Sequence, residues 1–125
     1  MKLRIVALVC AMTASMAHAA PSDVNAQAFY ADAKALEAKG MRALFDGRLK
    51  AMTAQMKDAG ERARAANLSA KAAGKPLFCP PEGAKRSVGA QQVIAMIGRV
   101  PEAERRSLSL AEAWKRALAR DYPCR

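Results

Sequence analysis

The spacing of apolar and polar positions divides the chain into one short apolar run and four helical stretches. Ile5 to Met12 is uninterrupted and apolar, and Ala20 to Asp23 is a brief polar lead-in. From Val24 to Lys39 alanine is dense, Pro and Gly are absent, and Val24, Ala28, Phe29, Ala31, Ala35 and Leu36 share one face. That pattern predicts a helix stopping at Gly40. A longer helical stretch is predicted from about Met41 to Ala73. Its apolar stripe is Met41, Phe45, Leu49, Met52, Met56, Ala59, Ala63 and Ala66, spaced by threes and fours. Met41, Met52 and Met56 read as core within it. Asp46-Gly47 is a candidate interruption, and Gly60 costs about 1 kcal/mol relative to alanine. From Arg62 to Gly74 almost no large apolar side chain occurs, so this end is a candidate for a solvated or partner-facing projection.

Gly74-Lys75-Pro76 closes this half, and Pro80 and Pro81 keep the next segment extended or turned. A third helix is predicted from about Ser87 to Arg99, with Val93, Met96, Ile97 and Val100 on one side and Pro101 as its stop. The last helix starts at Ser109, an N-cap that Glu112 completes as a capping box. Leu110, Ala113, Trp114, Ala117, Leu118 and Tyr122 line its apolar face up to Pro123. No strand-like alternation occurs. The fold class is all-α: one domain of about four helices over 20–125, with N-terminal helices in 24–73 and a hairpin in 77–124. Two short helices joined by a short linker pack antiparallel. Such packing places Cys79, upstream of one helix, beside Cys124, beyond the end of the other.

The first residues change the picture by assigning a compartment. Lys2 and Arg4, the apolar run, and the small residues of Ala17-His18-Ala19 have the order of a secretory signal peptide, with cleavage expected between Ala19 and Ala20. The run is shorter than the roughly 20 apolar residues that span a bilayer. Cys10 lies inside it behind a branched Val9, an unfavourable context for lipid attachment. A periplasmic location follows as an expectation. Cys10 leaves with the signal, so the mature chain retains Cys79 and Cys124, and an even pair in a small exported domain is normally a disulfide. Closing a loop of about 46 residues contributes about 4 kcal/mol on the chain-entropy view.

Charge narrows the partners. The chain has 21 basic and 11 acidic residues; without Lys2 and Arg4 the balance is 19 against 11, a net +8. Outside the cell interior that excess points to anionic proteins, lipopolysaccharide, phospholipid or cell-wall polymer, with no nucleic acid expected. Solvated helix faces explain the same charge equally well.

Catalytic chemistry finds few residues. The single histidine, His18, leaves with the signal, which excludes Ser-His-Asp and Cys-His constellations and leaves zinc without a ligand set. No glycine-rich phosphate loop is present. The carboxylate pairs Glu102 with Glu104 and Asp58 with Glu61 sit among arginines and read as surface ion pairs. No catalytic residue, cofactor or metal is expected, and the chain reads as a non-enzyme. Trp114 reads as core and the Tyr122 hydroxyl as near the surface; a binding platform is the other reading.

Phe78-Cys79-Pro80-Pro81, Gln91-Gln92-Val93, Val100-Pro101-Glu102 and the terminal Tyr122-Pro123-Cys124 resemble the C-terminal half of the Rap/Tai immunity-protein family. The resemblance covers about 47 residues. It implies a small exported helical protein, the Cys79–Cys124 bond, and steric neutralisation of a type VI secretion toxin in the periplasm, possible targets including a peptidoglycan amidase. The partner is then a protein toxin. The N-terminal half departs from the pattern: many members carry a further cysteine pair and a Gly-Tyr-containing helix there, and Val24–Ala73 has neither. No toxin-contacting residue is carried over, and the oligomeric state stays open, a homodimer included. The alternative is a basic envelope-associated or chaperone-like protein that binds anionic polymer or unfolded clients.

Overall fold

The structure, a computed structural model, describes residues 18–84 and 88–125. Nearly all of the signal peptide, Cys10, and the expected start of the third helix at Ser87 lie outside the described residues. A 3₁₀ turn at Pro21–Asp23 leads into α1 (Ala26–Lys39). A second 3₁₀ segment, Gly40–Phe45, connects α1 to α2 (Arg48–Ala72), and α3 (Ala90–Gly98), α4 (Glu102–Ser107) and α5 (Leu110–Asp121) follow. Among the described residues there is no strand, only one antiparallel bridge between Asn25 and Ser109. The all-α reading holds.

That bridge joins two helix starts. Asn25 Oδ1 accepts from the amides of Gln27 (3.0 Å) and Ala28 (3.1 Å), and Ser109 Oγ accepts from the Glu112 amide at 3.2 Å. Each side chain caps its own helix. Backbone bonds from Ala26 to Leu108 (3.0 Å) and from Leu110 to Val24 (2.8 Å) clip the two starts together. Glu112 does not complete the expected box; its carboxylate lies 2.8 Å from Lys115 Nζ.

The core combines Phe29 and Leu36 of α1, Met52, Ala59 and Ala63 of α2, Val93, Met96 and Ile97 of α3, and Leu110, Trp114 and Ala117 of α5. α2 packs most extensively on α5. Both helices bury alanines there, Ala59 and Ala63 on one and Ala113 and Ala117 on the other, which lets two backbones approach.

The buried face of α1 is Ala26, Phe29, Ala33 and Leu36, while Ala28, Ala31 and Ala35 of the predicted face are exposed. Three further details differ from the pattern reading. The stretch between α3 and α5 is a helix, α4, that packs on α1 and α5. Its buried Arg105 donates to Gln27 Oε1 (2.7 Å), to the Gly98 carbonyl (3.0 Å) and to the Val100 carbonyl, and stacks 4.3 Å above the Tyr30 ring. The cation thus meets the carbonyls that end α3, where the helix dipole is negative.

The far end of α2 does not project freely. Asn67 Oδ1 accepts from the amides of Leu77 (2.7 Å) and Phe78 (3.1 Å), and its Nδ2 donates to the Phe78 carbonyl (2.9 Å). This clasp holds the segment that carries Cys79.

Third, Met41 and Phe45 are not core. They are 79% and 91% exposed, because the tighter 3₁₀ winding from Gly40 breaks the 3.6-residue phase and turns Ala43 inward instead.

Candidate functional site

α1 and α2, consecutive in sequence, barely touch each other. The turn between them explains the opening. Asp46 accepts from the Arg48 amide at 2.9 Å and from its guanidinium at 3.1 Å, and lies 2.5 Å from Lys39 Nζ. Arg48 also reaches Asp32 on α1 at 2.9 Å. The Arg48 and Lys39 cations hold the Asp46 carboxyl far below the usual carboxylate range. This network sets the angle at which α2 leaves α1.

Between the two helices lies a cleft of about 870 Å³. α1 contributes Phe29, Ala33 and Leu36; α2 contributes Leu49, Met52, Met56 and Gly60; α5 contributes Trp114, Leu118 and Tyr122. The segment around Cys79 adds Phe78, Pro80, Ala84 and Val88, and α3 adds Val93 and Ile94. The few polar side chains on the lining are Glu37, Thr53, Lys57, Arg64 and Gln91. Size and lining are those of a ligand cleft. Next to it the Gly40–Phe45 turn carries an apolar tip: Met41, Leu44 (62% exposed) and Phe45.

Cys79 and Cys124 form the disulfide, with Cα atoms 4.9 Å apart and a backbone bond from the Cys79 amide to the Tyr122 carbonyl at 2.8 Å. Both cysteines are exposed. The bridge therefore acts as a staple at the edge of the cleft. Trp114 is 3% exposed and belongs to the core while also lining the cleft. The two carboxylate pairs are separated into ion pairs: Glu102 with Arg106 (2.5 Å), Glu104 with Arg116 (2.7 Å), and Glu61 near Lys57 (3.9 Å).

No family profile, curated protein or solved structure matches the chain. The site therefore has to be read from its own residues.

Ala19 and Ala20 stand just before the first 3₁₀ turn, and the Ala20 amide donates to Asp23 Oδ2 at 2.8 Å. Asp23 also receives Arg62 at 2.8 Å, and that contact is the main cause of its lowered pKa. Asp58 accepts from the Ser22 hydroxyl and from the Ser22 amide at 3.0 Å, which together hold its carboxyl low. The start of the described chain is thus clamped onto α2. Neither the tip, the cleft nor the clamp is visible as a motif. The one signal available was Asp46-Gly47, whose turn chemistry marks the break that exposes the tip.

Proposed function

We propose that this chain is an exported, non-catalytic binding protein of the immunity type, which neutralises a protein toxin by steric cover. The observation that carries this reading is the apolar tip of Met41, Leu44 and Phe45, followed by the Asp46 ion network and 62% to 91% exposed. Large apolar side chains exposed together on one turn mark interaction surfaces, whose energetic centres are enriched in large anchoring side chains, aromatic ones among them. The tip lies in the half where the chain departs from the family pattern, as a surface matched to its own toxin should. The resemblance residues Phe78, Pro80, Val93 and Tyr122 instead converge on the cleft wall and support the fold.

Inhibition of this kind needs no chemistry from the binder. It is stoichiometric and ends when the tip is lost. Export fits the same reading: cleavage after Ala19 leaves the new ammonium of Ala20 on the Asp23 carboxylate, where its amide already bonds. The proposed location is the periplasm.

A photo-crosslinking residue at position 45, in cells producing the full chain, tests the contact. We expect one discrete adduct with a secreted toxin, absent when the same residue replaces exposed Glu82 on the disulfide-closed loop. No adduct at 45, or the same adducts from both positions, overturns the reading.

A further inference from the structure

The rim and the interior of the cleft differ in chemistry. Four cations, Lys50, Lys57, Arg64 and Lys71, recur every seven residues on α2 and are all exposed. Seven residues advance about 10 Å and almost two full turns, so the four stand in one row along the helix. Lys57 and Arg64 lie on the cleft lining itself. Arg64 has no ion pair among the described residues, and Lys57 has only a distant one. The one carboxylate on the lining, Glu37, is occupied by Lys34 at 2.5 Å. The rim is therefore positive with its acid already neutralised.

The interior is the opposite. Aliphatic and aromatic side chains dominate the lining, and the Thr53 hydroxyl on it already donates to the Leu49 carbonyl at 2.8 Å. Phe29, Phe78, Val93 and Trp114 line the cleft yet keep no more than 7% of their surface exposed. Such apolar walls suit a hydrocarbon chain, which has no polar group to satisfy. An extended peptide would leave its amides unpaired there. At Gly60, between Lys57 and Arg64, an added Cβ would meet nothing within 4 Å, so the helix backbone is open to close approach between the two cations.

We propose that the cleft binds one long-chain amphiphile with an anionic head. The hydrocarbon tail lies between α1 and α2, and the head sits on Lys57 and Arg64. Free fatty acid and lysophospholipid share this chemistry. The inference does not rest on the tip's role, since a failed crosslink at position 45 leaves it standing and its own failure leaves the tip.

Trp114, the single tryptophan, reports occupancy by energy transfer to cis-parinaric acid, a fluorescent long-chain carboxylate. We expect saturable one-to-one binding to the full chain, displaced by oleate or by a monomeric lysophospholipid; which competes at lower concentration identifies the source. Lys57→Glu with Arg64→Glu should weaken parinarate binding at least tenfold while leaving displacement by oleyl alcohol unchanged. Gly60→Leu fills the open space without backbone strain. It should melt at or above the parent temperature and still lose the ligand. Absent saturation, or equal binding by parent and both variants, overturns the proposal. So does association with anionic phospholipid vesicles that monomeric oleate never competes.

Discussion

Arg105 is the residue whose role was least visible in its neighbourhood of charged residues. As part of Glu102-Ala103-Glu104-Arg105-Arg106 it looks like any solvated arginine, yet it is 6% exposed and holds α4 to α1 and to the end of α3. Its partners are carbonyls, an amide and a ring, none of which a charge pattern can reveal. Hydrogen bonds to a charged group contribute about 1.5–3 kcal/mol, so Arg105→Ala should destabilise by about 2–3 kcal/mol in a denaturant titration. Arg106→Ala, one residue on and exposed, should change little. Trp114 was legible from its helical spacing, and its near-complete burial agrees. Trp114→Ala should cost about 3–5 kcal/mol.

At the scale of elements, the apolar periodicity located α3 and α5 well, because each buries one continuous face; it found the extent of α1 but not its face, since alanines at every few positions give the spacing no large side chain to fix the phase. It misjudged both ends of the second stretch. At the front, Met41 and Phe45 kept the right numerical spacing, but Gly40 at φ 55° begins a 3₁₀ turn that a 3.6-residue wheel cannot describe. At the back, the charges from Arg62 onward suggested a free helix end, whereas Asn67 holds three backbone groups of Leu77 and Phe78. A tertiary clasp made by one polar residue has no sequence period. Asn67→Ala should therefore cost about 1–3 kcal/mol, read by thermal melt, because it leaves those groups without partners. α4 had a legible signature in hindsight: Pro101 at its start, Glu102 and Glu104 in the first turn, Arg105 and Arg106 in the last. The clamp on α2 has a sign in pH. Asp23 and Asp58 both have lowered pKa values, so their contribution is complete above the ordinary carboxylate value and is lost as pH falls through the lowered ones. The melting temperature of the parent should exceed that of Asp58→Asn at neutral pH, and the gap should close on acidification.

The whole molecule is one long helix and several short ones around an apolar cleft, and its stability leans on one covalent bond. Cysteine parity predicted that bond, and the structure has it. The loop it closes corresponds to about 4 kcal/mol, close to the net stability of a domain this size. Cys79→Ala should thus leave little folded protein at 37 °C, measured by soluble yield and near-ultraviolet dichroism. The net positive charge is also a property of the whole chain. If it served general attachment to anionic polymer, binding to purified cell wall should disappear with added salt. The contact proposed between the tip and a toxin should be far less sensitive, because the tip is apolar. The most direct measurement is competitive growth. A strain lacking this protein is co-cultured with its toxin-delivering parent, after complementation with either the native chain or Leu44→Asp with Phe45→Asp. The native chain should restore survival, and the double variant, folded to the same melting temperature, should not. Equal survival of both complemented strains, or no disadvantage to the strain lacking the protein, would contradict neutralisation through the tip.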